Sequence, residues 1–72
     1  MNRITKESLI PFIQKKLAND TNINIQNINV NNIIIKQNND AVVWIEQPGD
    51  YNIELNVIDK YGNPKQYLIS QK

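Results

Sequence analysis

Seven carboxylates, Glu7, Asp20, Asp40, Glu46, Asp50, Glu54 and Asp59, are the side chains of this sequence best suited to acid–base or metal chemistry. Glu46 and Glu54 fall on neighbouring candidate strands, where two facing carboxylates can share acid–base work. Asp40, Asp50 and Asp59 sit beside turn-forming residues, where oxygen ligands can gather around calcium. Neither pattern is dense. Solvated strand positions explain the glutamates, and turn formation explains the aspartates. The chain has no histidine and no cysteine. It therefore has no imidazole base, no thiolate nucleophile, no disulfide and none of the usual zinc ligands. Only two glycines occur, so a glycine-rich phosphate loop is missing as well. The sequence reads as non-enzymatic, with no cofactor and no metal.

Binding is then the chemistry left to the larger side chains. Trp44, the single tryptophan, stands in the run Val42-Val43-Trp44-Ile45. Its first reading is core, packed beneath a helix. If one face of its strand is open, either Trp44 or the Val43/Ile45 pair becomes a candidate partner-binding surface. Tyr61 lies at a corner and can anchor a partner. Arg3, Lys6, Lys15 and Lys16 cluster around the first helix and read as a solvated face.

Charge and length limit the partners. Eight basic against seven acidic residues leave a net charge of +1, mixed along the chain. That balance argues against nucleic acid, whose binders carry a stronger or more clustered positive charge. No apolar run approaches the ~18 residues of a membrane span, and the polar start Met1–Glu7 is no signal peptide. A complete chain of this kind is expected in the cytoplasm. A piece of an exported protein is expected on a cell surface or virion. Seventy-two residues make one small domain, 1–72.

The elements follow from hydrophobic spacing. Leu9, Ile13 and Leu17 recur at helical intervals, flanked by Ile10 and Phe12, predicting a helix over about 8–19. Ser8 as N-cap places Pro11 at the third helical position, where the missing N–H costs nothing. From Asn22 the period changes to two. Ile23, Ile25, Ile28 and Val30 predict a strand over about 22–30, with a slip near Gln26 and Asn27. Further strands are expected at about 33–36, covered on both faces, and at 41–46, 51–59 and 65–70. Turns are expected at 37–40, at 47–50 (type II, with Gly49 at positive φ) and at 60–64. Short connections predict an antiparallel meander from 41 to 70.

Pro48-Gly49-Asp50-Tyr51-Asn52-Ile53-Glu54-Leu55-Asn56-Val57-Ile58-Asp59, continuing to Gly62-Asn63, resembles the last hairpin of bacterial immunoglobulin-like and PKD-type surface modules. The resemblance covers about residues 41–70. It implies that Tyr51 starts a strand and bonds its hydroxyl to upstream backbone, and that Asp59, Gly62 and Asn63 form the turn before the last strand. The front of the chain departs from that pattern by opening with a helix.

The fold expected is α+β: one N-terminal helix packed on a four- to five-stranded antiparallel sheet. The alternative is a truncated immunoglobulin-like β-sandwich. The function expected is a non-catalytic structural or protein-interaction module of Gram-positive or phage surface type. The alternative is a small stand-alone, phage-encoded protein that binds and inhibits a host protein. Either way a protein partner is expected, and an exposed edge strand offers a route to homo-oligomers.

Overall fold

The computed structural model describes residues 2–47 and 49–71. The fold is α+β, with one helix and two antiparallel sheets. Strands β1 (Asn2–Thr5) and β4 (Trp44–Gln47) form a two-stranded sheet. Strands β2 (Ile33–Gln37), β3 (Asp40–Val42), β5 (Tyr51–Ile58) and β6 (Pro64–Gln71) form a four-stranded sheet in the order β3-β2-β5-β6.

Helix α1 spans Lys6–Lys16 and starts earlier than its spacing suggests. Its N-cap is Thr5, not Ser8. The two hydroxyl residues cap each other: the Ser8 N–H donates to Thr5 Oγ1 at 3.2 Å, and the Thr5 N–H donates to Ser8 Oγ at 3.0 Å. This reciprocal box satisfies two otherwise unpaired donors. It also places Pro11 at the sixth helical residue, where the carbonyl of Glu7 loses its usual N–H partner. Burial of Leu9 and Ile13 offsets that loss. Leu17 ends the helix as C-cap, with Lys15 and Lys16 in the last turn.

The strand expected over 22–30 does not form. Two one-turn 3-10 helices, Ile25–Asn27 and Val30–Asn32, take its place. Asparagine side chains explain the change, because they compete with ladder partners for backbone N–H groups. Asn24 accepts from the Gln26 N–H at 3.2 Å, and Asn29 accepts from the Asn31 N–H at 2.9 Å. Asn32 returns a bond to the Asn29 N–H at 3.0 Å and donates to the Asn56 carbonyl at 2.9 Å, which ties the segment to β5. Ile23 and Ile28 are buried, five positions apart, an interval that a single straight strand would send to opposite faces.

The strand expected over 41–46 is broken in two. Val42 packs against the core from β3, and Ile45 enters the core from β4. They lie three positions apart, so one straight strand cannot turn both inward. A bend at Val43 resolves the conflict and leaves Val43 78 % exposed. The bend also overturns the expected meander. β4 leaves the larger sheet to pair with β1, and β2 rather than the 41–46 segment lies beside β5.

The remaining turns obey local chemistry. Asn38 and Asn39 have φ values of 54° and 69°, the left-handed pair required by a two-residue hairpin between β2 and β3. In the β5–β6 loop the Asp59 carboxylate accepts the N–H groups of Tyr61 and Asn63, both at 2.9 Å, and Gly62 supplies φ of 85°. Of the turn expected at 47–50, Pro48 lies outside the described residues, and the positive φ expected at Gly49 is not found: among the described glycines it belongs to Gly62.

One face of the four-stranded sheet carries the core. Ile33 and Ile35 of β2, Tyr51, Ile53 and Leu55 of β5, and Ile69 of β6 meet Leu9 and Ile13 of α1, with Ile28 and Ile45 closing the sides. Ile13, Ile33, Ile35, Ile53 and Leu55 are fully buried, each contributing about 1.5–3 kcal/mol. The opposite face is largely polar, so Ile34 is only half-buried and β2 is not covered on both sides as expected. There Lys36 and Glu54 form an ion pair at 2.7 Å, and Gln66 bridges Glu54 and Asn56.

Candidate functional site

The four residues marked for partner binding do not form one surface. Alternation along β1 and β4 decides which of them face out. Ile4 pairs with Ile45, while Arg3 pairs with Glu46 and Thr5 with Trp44. Ile45 is 2 % exposed and belongs to the core, so it leaves the candidate surface. The core position first read for Trp44 is corrected too. Its side chain lies on the outward face with 38 % exposure, because Ile45 has taken the inward one.

Trp44 is not bare. The Arg3 guanidinium lies 4.2 Å from the centroid of its ring. The guanidinium charge faces the electron-rich ring face, and no hydrogen bond of the guanidinium is found among the described residues. Val43, the residue before Trp44 at the bend, is 78 % exposed. The patch thus has an aromatic plate on β4 and a cation stacked on it from β1. The sequence reads Arg3 as part of a solvated basic cluster around the first helix; the structure corrects this and places it on β1 against the Trp44 ring. The weak signal was alternation in Arg3-Ile4-Thr5.

Tyr61 sits elsewhere, in the loop joining β5 to β6. It is 71 % exposed, and the Lys60 ammonium lies 5.6 Å from its ring centroid. The Lys60 N–H donates to the Asn22 carbonyl at 2.8 Å, which fastens that loop to the segment after α1.

The two glutamates lie apart. Glu46 lies on β4 opposite Arg3, and Glu54 lies on β5 between Ile34 and Leu68. The two strands belong to different sheets, so the facing pair conceived from the sequence does not exist. Asp59 is engaged in its own turn. Among the described residues no three His, Cys, Asp or Glu side chains converge as a metal site. A cleft of about 320 Å³ between Asn32, Asn56 and the Ile58–Pro64 pair brings amides and Lys65 together without a carboxylate.

One titratable pair is strongly coupled. The Tyr67 hydroxyl donates to Asp20 Oδ2 at 2.5 Å. This bond, then the Asn22 N–H and then the Lys65 charge, holds the Asp20 carboxyl below its usual range. The Tyr67 phenol is pushed up to about 12 by the bond to Asp20, by desolvation and by the charges of Asp20 and Asp59. A phenol so stabilised stays protonated at neutral pH and offers neither a base nor a nucleophile. Tyr51 starts β5, and burial raises its phenol. Its hydroxyl finds no hydrogen-bond partner among the described residues, unlike the bond to upstream backbone that the immunoglobulin-like resemblance implies.

No family model matches the sequence, and comparison with curated proteins and with solved structures likewise finds no similar protein. No helix of the described residues is long and apolar enough to cross a membrane.

Proposed function

We propose that this chain is a non-catalytic protein-interaction module whose docking surface is centred on Trp44, with Val43 beside it and Arg3 stacked on the indole. The observation that carries the reading is the outward Trp44 ring held under the Arg3 guanidinium at 4.2 Å. Tryptophan and arginine are the residue types that most often dominate binding energy at interfaces. A partner suited to this patch presents an apolar side chain to the indole and a carbonyl or carboxylate to the guanidinium. The composition, without histidine or cysteine, supports a role in binding rather than turnover. The likeness of residues 48–63 to the last hairpin of bacterial immunoglobulin-like modules supports a setting in a bacterial or phage surface protein.

The test compares the parent chain with Trp44→Ala and Arg3→Ala as immobilised baits. A partner captured by the parent is expected to lose at least about tenfold in affinity to Trp44→Ala, while both variants keep a cooperative melt. A chain that captures nothing overturns the reading, and so does a partner that binds Trp44→Ala as tightly as the parent.

A further inference from the structure

The four-stranded sheet ends in two different ways. At one side β3 is three residues long and turns away at Val43. At the other, β6 runs for eight residues and pairs only with β5 among the described residues. Exposed edge strands are usually blunted by charge, proline, a bulge or a cover. Here Pro64 and Lys65 guard only the first two positions, and Gln66–Gln71 carries no charge. Leu68 points from this edge to the polar face of the sheet and is 71 % exposed.

We propose that β6 pairs antiparallel with β6 of a second copy, about a two-fold axis that passes through Leu68 perpendicular to the sheet. The geometry narrows the register. Antiparallel neighbours related by a two-fold axis share their faces, so paired residue numbers must sum to an even value. Centring on Leu68 places the two Leu68 side chains against each other on the polar face. On the core-bearing face Tyr67 then lies across from Ile69 of the other copy, and Lys65 across from Gln71. No like charges are opposed, and the N–H that Pro64 lacks is not called upon. Of the neighbouring even registers, that centred on Tyr67 sets Leu68 against Gln66 and Lys65 against Ile69, and that centred on Ile69 sets Leu68 against Ser70 and Tyr67 against Gln71. The self-complementary order of residues is the reason for choosing a second copy over a foreign strand. The product is one continuous eight-stranded sheet with both helices on the same side. This association is independent of the Trp44 surface.

Sedimentation equilibrium from ~10 µM to ~1 mM, the range in which small interfaces associate, is expected to show the mass rising to a dimer. Leu68→Lys is expected to remain a monomer over that range with an unchanged melt. Because the chain has no cysteine, single-cysteine variants report the register. Leu68→Cys would bring two Cβ atoms to roughly 4.5–5.5 Å, near the span of a disulfide. It is expected to oxidise to a linked dimer at least about tenfold faster than Tyr61→Cys, whose position has the same 71 % exposure but no symmetry partner. A parent chain that stays monomeric throughout overturns the proposal. So does a Leu68→Lys dimer, or linkage of Leu68→Cys no faster than that of Tyr61→Cys.

Discussion

Tyr67 on β6 donates its hydroxyl hydrogen to Asp20, just beyond helix α1, across a sequence separation of 47 residues. The same carboxylate accepts the Asn22 N–H at 2.9 Å through its other oxygen. One aspartate therefore both shapes the turn after the helix and pins that turn to the edge of the sheet. Asp20 thereby anchors the helix exit to the strand from which dimerisation is proposed.

Removing the phenol hydroxyl tests this link most cleanly. Tyr67→Phe is expected to lower the melting temperature. Asp20→Ala is expected to lower it further, because it also frees the Asn22 N–H. The double variant should melt with Asp20→Ala rather than below it, since the two residues share one interaction. Thermal denaturation of the three variants measures the coupling.

The pH dependence of that link has a sign at each end. Asp20 has a lowered folded-state pKa, so its stabilisation is present above the ordinary value of 3.8 and is lost as pH falls through the lowered one. Tyr67 has a raised pKa, so its stabilisation is full below the ordinary value of 10.0 and is lost as pH rises through about 12. The stability difference between parent and Tyr67→Phe is expected to be flat from about pH 5 to pH 9 and to shrink on either side. Denaturant titrations across pH measure the difference. Alkaline absorbance of the parent should also show a late tyrosinate step near 12 that Tyr67→Phe lacks.

Pro11 is a liability that the structure tolerates. It is exposed, lies inside α1, and leaves the Glu7 carbonyl without its helical donor. Pro11→Ala is expected to stabilise the fold by about 1–3 kcal/mol. Urea denaturation checks this, and an unchanged midpoint would show that the helix is already bent to accommodate the ring.

Ile13 is fully buried where the helix meets the sheet. Ile13→Ala is expected to cost about 2–5 kcal/mol, a large share of what a domain of this size possesses. Loss of the cooperative transition, or a large drop in its midpoint, is the expected result in a thermal melt.

The β2–β3 turn depends on left-handed backbone at Asn39. Asn39→Ala is expected to cost roughly 1–2 kcal/mol, whereas Asn39→Gly should be neutral or slightly stabilising, because glycine enters this conformation freely. Equilibrium unfolding of the two variants side by side distinguishes the backbone effect from loss of the side chain.

Local pattern was legible wherever one interaction dominated. Alternation of Tyr51, Ile53, Leu55 and Val57 named the inward face of β5, and the Asp59-x-x-Gly62-Asn63 corner named its exit. The spacing of Leu9 and Ile13 named the face of α1. Reading failed where side chains competed with the backbone. Asn24 and Asn29 converted an apparent strand into 3-10 turns by capping them, and the Thr5–Ser8 exchange moved the helix start three residues forward. Of the candidate surface, Trp44 and Val43 were legible as residue types. Arg3 was not, because its value depends on a pairing some forty residues away.

Composition and spacing by themselves determined the missing imidazole and thiol chemistry, the inward faces of α1 and β5, and the turns at Asn38-Asn39 and Asp59–Asn63. These depend on a residue and its near neighbours. Tertiary structure alone decided that the Val42–Ile45 run breaks at Val43, that Ile45 rather than Trp44 enters the core, and that β6 pairs with β5 alone among the described residues. Each of those outcomes is a choice among partners distant in sequence. They were resolved by the single core that α1, β4 and the four-stranded sheet had to close together.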